Sequence, residues 1–87
     1  MTPNELIKMR QDTHGNFTDN AFRTIAGTKT IINTNTPYEA QFASFMIIHK
    51  LSRINSGDWK YLDHWRDIQG YAQLIINELE HQNGHNV

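Results

Sequence analysis

The 87-residue chain carries eight Lys/Arg against nine Asp/Glu, a formal charge of −1, and no cysteine. That length suits one small domain, and without Cys neither a disulfide staple nor a thiolate metal site can reinforce it. Near-balanced charge argues against a nucleic-acid polymer as partner, because such binding calls for a basic stripe.

In chain order, the first signal is Thr2-Pro3-Asn4-Glu5. A Thr hydroxyl can cap a free amide, Pro suits the first helical position, and Glu can reach back from N3. A helix over about residues 3–12 follows, with Leu6, Ile7 and Met9 as its apolar contribution. His14-Gly15-Asn16 breaks it, since Gly and Asn accept left-handed dihedrals at low cost. Thr18-Asp19-Asn20 can cap a second helix to about Lys29, with Phe22, Ile25 and Ala26 facing inward. The Thr-, Asn- and Ile-rich stretch 28–36 reads as a loop, because no second strand pattern exists to pair with Ile31 and Ile32.

Thr36-Pro37-Tyr38-Glu39 repeats the opening design and starts a third helix, from Pro37 to about Ser56, with Gly57 as its C′ residue. Between Phe42 and Ile48 this helix is apolar nearly all round, which calls for cover on more than one side. The last helix, Asp63 to Gln82, repeats apolar residues at Trp65, Ile68, Ala72, Ile75 and Leu79 and ends near Asn83-Gly84. A short loop between two long helices predicts an antiparallel hairpin. The expected fold is all-α: two short helices and a loop (1–35) packed on a helical hairpin (36–83).

A chain this short buries only about 60–65% of its unfolded surface, so assembly into a homo-oligomer is expected to supply the missing burial. No apolar run approaches a membrane span and the first residues lack a secretory apolar region, so a soluble, cytoplasmic protein without a membrane partner is expected. Ten Ile against five Leu, with nine Asn, hint at an AT-rich genome such as a phage's.

Two places could carry chemistry. Thr13-His14-Gly15-Asn16-Phe17, preceded by Arg10, sets backbone amides beside an imidazole at a helix break. Such a turn can hold a phosphate or a base edge, or Gly15 simply makes the turn and His14 is solvated. At the hairpin end, His49, Lys50 and Arg53 lie within one helical turn, while Asp63, Asp67 and Tyr71 share one face of the next helix. Lys50 and Arg53 are therefore expected to meet Asp63 and Asp67, either as an ion-pair clasp or as cations oriented towards a ligand phosphate. Gly70 inside the last helix suggests close packing or ligand approach, and Trp59, Tyr61 and Trp65 could stack a base or plug the hairpin end. Asp63, His64 and Asp67 form only a weak metal set, no Ser has a legible His–acid partner, and neither metal nor cofactor is expected.

The combination Arg10…Thr13-His14-Gly15…Phe17, Lys50…Arg53-Ile54…Gly57 and Asp63-His64-Trp65…Asp67-Ile68…Gly70-Tyr71-Ala72 resembles a family of small, mostly phage-encoded helical proteins of unassigned function. Its second half is also similar, more distantly, to MazG-type all-α nucleotide pyrophosphohydrolases. The resemblance implies a nucleotide-like ligand. Where those enzymes present an ExxE and a later ExxD to hold Mg²⁺, this chain has His49, Lys50 and Arg53 on the third helix and Asp63 and Asp67 on the fourth. Two carboxylates and several cations suit gripping phosphate better than holding two metals. By analogy with phage sponge proteins, the expected function is sequestration of a cyclic-nucleotide or ADP-ribose-type immune signal in the infected host, without catalysis. The alternatives are a nucleotide-processing enzyme and a structural or host-interaction module. The expected ligand contacts are Arg10, Thr13, His14, Gly15, Phe17, Lys50, Arg53, Trp65 and Tyr71, with Asp63 and Asp67 orienting the cations.

Overall fold

Four helices, α1 (Pro3–His14), α2 (Phe17–Ile31), α3 (Tyr38–Ser56) and α4 (Leu62–Gln82), make up the secondary structure of the computed structural model, which describes residues 1–83. Among those residues there is no strand, as the sequence predicts. Gly84, expected to help end the last helix, lies outside them.

The first cap is as read: the Thr2 hydroxyl accepts from the Glu5 amide at 3.1 Å. The second helix starts earlier than expected. Asn16, not Thr18, is its cap, accepting from the Asp19 amide at 2.8 Å and donating through Nδ2 to the Asp19 carboxylate. Thr residues then carry α2 to Ile31, so the stretch expected as loop is helix over 28–31; Thr28 and Thr30 return their hydroxyls to the carbonyls of Thr24 and Ala26. The third start also differs. Pro37 occupies the N-cap position, one residue before its expected place, and no side chain caps α3. Thr36 instead donates to the Asn33 carbonyl, and Gln41 reaches back to the Thr36 carbonyl at 2.7 Å.

The third helix is the hub. It packs against α2 on one side and α4 on the other, and it is the main support of α1. Lys50 near the end of α3 pairs with Asp67 near the start of α4 at 2.9 Å, which fixes the two helices as an antiparallel hairpin. Where α2 crosses α3, the missing side chain of Gly27 leaves room for Ile48. The buried apolar residues are Ala43, Ile48 and Ile54, joined by the polar Thr24, Ser52 and His64.

Phe22 and Ile25, expected to face inward, are 73% and 50% exposed. Phe42, at the start of the stretch expected to need cover on more than one side, is 62% exposed, and the apolar repeat of α4 leaves Trp65 and Leu79 exposed. No residue of α1 is buried, Leu6, Ile7 and Met9 included. A Cβ at Gly70 would meet nothing within 4 Å, so tight packing does not explain that glycine.

Candidate functional site

The end of α1 is bolted to the end of α3 by two glycines. Gly15 has φ +75° and ψ 175°, a conformation essentially reserved for glycine, and a Cβ there would stand 2.7 Å from the Ser56 backbone. Gly57, at φ −122°, has no left-handed requirement of the kind a C′ glycine meets. It is small because a Cβ would lie 2.5 Å from the Gly15 nitrogen and the Thr13 carbonyl. That carbonyl accepts from the Asp58 amide at 3.2 Å and from His64 Nε2 at 3.1 Å. A carbonyl can only accept, so Nε2 of His64 carries a hydrogen, and this ring is 2% exposed. His14 sits against it, edge to face at 4.7 Å, with Tyr61 at 5.5 Å. His14 is thus the last residue of a helix packed among rings, not a solvated turn residue.

Asn20 locks the same joint from α2. Its Nδ2 donates to the His14 and Asn16 carbonyls at 2.6 and 3.0 Å, and its Oδ1 accepts from Ser52 and Ser56 at 2.6 and 3.0 Å. The sequence offers Asn20 as part of a cap; its role is to tie three helices together, which no local pattern announces.

Beside this joint, α1, α2 and α3 enclose an open cavity of about 480 Å³. Arg10, His14, His49 and Arg53 line it, and no Asp or Glu does. Its apolar wall comes from Ile7, Phe17, Ala21, Ile25 and Phe45. Thr24 also lines it, 6% exposed, and its buried hydroxyl has no hydrogen-bond partner among the described residues. These four basic groups disfavour one another's charge. Burial lowers the His14 pKa below the usual histidine value, and the charges of His64, Arg53 and Arg10 push the same way. His49 is lowered by burial, then by Arg53, Lys50 and His64. Arg53 is lowered by burial and by Arg10, against the smaller opposing pull of Asp67. Two guanidinium groups without a carboxylate partner in the lining, set between apolar walls, are chemistry that can accept an anion with a hydrophobic body.

Of the expected ligand contacts, Arg10, His14, Gly15, Phe17 and Arg53 come together at this cavity. His49, noted on the third helix but left out of the expected contacts, joins them. The Thr13 side chain turns away, bonding the Arg10 carbonyl and the His14 ring. Lys50 is spent on Asp67, so it belongs to the clasp. Arg53 makes no ion pair among the described residues, and neither does Asp63; the expected four-membered clasp is a single pair. Trp65 lies at the hairpin end, donating to the Trp59 carbonyl at 2.7 Å, and Tyr71 lines a separate groove with Phe42 and Leu74. Among the described residues no three His, Asp or Glu side chains are placed to hold a metal; of Asp63, His64 and Asp67, His64 is buried against the Thr13 carbonyl and Asp67 pairs with Lys50.

Fold and site together define a small four-helix protein with a cationic, apolar-walled cavity. The chain matches, over residues 2–79, the family described as Domain of unknown function (DUF6378), and it belongs to that family. This agrees with the resemblance to a helical family of unassigned function. No curated protein and no solved structure matches it. No helix among the described residues is long and apolar enough to cross a membrane.

Proposed function

We propose that this protein binds a nucleotide-derived anion in the α1–α2–α3 cavity and sequesters it unchanged, as an oligomeric, cytoplasmic phage protein acting against a nucleotide immune signal. The observation that carries the reading is the convergence of Arg10, Arg53, His14 and His49 on one cavity whose lining holds no carboxylate. Guanidinium groups match phosphate oxygens in pairs, and the aromatic walls Phe17 and Phe45 offer faces for a base. The unpartnered Thr24 hydroxyl is supplied with a bonding partner when a polar ligand enters. Sequestration needs affinity alone, and every group just named contributes affinity. The phage setting and the kind of signal rest on the resemblance and the composition.

Calorimetric titration with nucleoside monophosphates, cyclic mono- and oligonucleotides and ADP-ribose tests this, followed by recovery of the ligand after denaturation. Binding that survives EDTA, weakens with salt and releases the ligand intact is the expected result. Conversion of the ligand, or dependence on added Mg²⁺, overturns it in favour of a pyrophosphohydrolase. Absence of binding across the panel overturns it in favour of an interaction module.

A further inference from the structure

The cavity does not end at its own walls. Phe45 borders both the cationic cavity and a neighbouring groove between α2 and α3, and Phe42 borders that groove and the next, between α3 and α4. The three depressions therefore lie side by side and make a trough along α3 that the Phe45 and Phe42 rings cross as ribs. The fold that carries it is open. Its radius of gyration is 15.4 Å, against about 12 Å for a compact chain of this length. It exposes 6650 Å², on the order of 1,000 Å² more than a globular monomer of 10.1 kDa presents. Doubled over two chains, that excess falls in the range of about 2,000–5,000 Å² that obligate homodimers bury. Charge along the trough is self-complementary. Glu39 and Glu78 rim the α3–α4 groove, while Lys29 rims the α2–α3 groove that leads to the Arg10–Arg53 cavity.

We infer that a second copy of this chain docks along the α3 trough through a two-fold contact centred on Phe42, and that it forms the missing wall of the cationic cavity. A two-fold axis there sets the acidic groove of one copy on the basic groove of the other, and both Phe42 rings leave water together. The docking stands on the trough itself; only the meaning of the closed cavity rests on the nucleotide reading.

Sedimentation of the full chain at micromolar concentration should give twice the 10.1 kDa chain mass, with a Tm that rises with concentration. A monomer with a concentration-independent Tm overturns the inference. Phe42→Glu, which alters a side chain already 62% exposed within one copy, should weaken association at least a hundredfold. Because the chain is free of cysteine, Phe42→Cys should form a disulfide-linked dimer on mild oxidation, whereas Trp59→Cys, at the hairpin end, should not. A dimer in which Phe42→Cys fails to cross-link places the contact elsewhere and overturns the proposed axis. For the shared wall, Phe45→Cys should react with a bulky maleimide at least tenfold more slowly than the same cysteine in the Phe42→Glu background. Equal rates overturn the wall. None of these measurements needs a bound nucleotide, so failure of the ligand reading is read separately from failure of the docking.

Discussion

At the scale of single residues, the two helix-terminal or helix-internal glycines Gly15 and Gly70 should respond oppositely to alanine. Gly15→Ala forces a side chain into a glycine-only conformation and against the Ser56 backbone, at a cost of about 2–4 kcal/mol from strain and overpacking combined. Gly70→Ala meets open space within a helix and should stabilise by about 0.4–1 kcal/mol. Urea midpoints of the two variants check both signs. Arg53, partly buried, shares the cavity lining with Arg10 and has no ion pair among the described residues, so Arg53→Ala should leave the Tm unchanged or raise it. The same change should cost about 1.5–3 kcal/mol of anion affinity, the range for a charged hydrogen bond, read as ten- to a hundredfold in Kd. A group whose removal helps the fold and harms binding is positioned for the ligand. His14 and His49 extend the argument to pH. Their folded pKa values lie below the usual 6.5, so the folded protein holds fewer protons than the unfolded chain, and stability falls as pH drops through and below about 6.5. A bound anion favours the charged rings, so affinity for a phosphodiester ligand should rise over the same interval. Titrations at stepped pH read it, and His14→Ala should flatten the rise.

At the scale of elements, Thr2 and Thr36 both open a Thr-Pro-x-Glu segment and do different work. Thr2→Ala removes a cap bond and should cost about 0.5–2 kcal/mol. Thr36→Ala removes only an exposed bond to Asn33 and should stay within about 0.5 kcal/mol, as thermal melts of the pair would show. The four helices themselves were legible in the sequence, since Pro, Gly and capping residues mark their ends and apolar spacing marks their lengths. What was not legible was which of two adjacent caps wins. Asn16 prevails over Thr18 because Asp19 reciprocates its bond, and Pro37 slips to the cap because Gln41 reaches back to the loop carbonyls. The site was legible in Arg10, His14, Phe17 and Arg53. Asn20, Ser52 and the buried His64 were not, because their partners lie thirty to fifty positions away in the chain. Lys50 and Arg53, three residues apart, looked equivalent in sequence. Their surroundings separate them: Lys50 pairs with Asp67 on α4, while Arg53 lines the cavity together with Arg10 of α1.

At the scale of the whole molecule, α3 is a spine with unlike attachments on its two flanks. On one, α4 is held by the Lys50–Asp67 pair and by packing along the hairpin. On the other, α1 hangs from its own C-terminal end, with Thr13, His14 and Gly15 secured and nothing buried before them. Phe22 and Ile25, which their spacing turns inward, face out, and so does Phe42 at the start of the stretch that calls for cover on more than one side. Periodicity tells which side of a helix wants cover, and a single copy of the chain leaves that want unmet.

The attachment of α1 at one end has a mechanical consequence. A helix of twelve residues is a rod of about 18 Å, and this one is clamped at a single joint around Gly15. Arg10 sits about 7 Å from the joint and Ile7 about 12 Å, at 1.5 Å per residue. A tilt of about 10° therefore shifts Ile7 by about 2 Å but Arg10 by only about 1 Å. Such a tilt would move the apolar rim at Ile7 more than the charged group at Arg10, in the manner of a caliper jaw. If the cavity holds the proposed anion, the jaw should accept ligands that differ in the bulk of their rings. Hydrogen exchange should find the amides of the first two turns of α1 exchanging far faster than those of α3, and slowing when an anion is held. Equal protection of the two helices in the free protein would mean that the jaw is fixed.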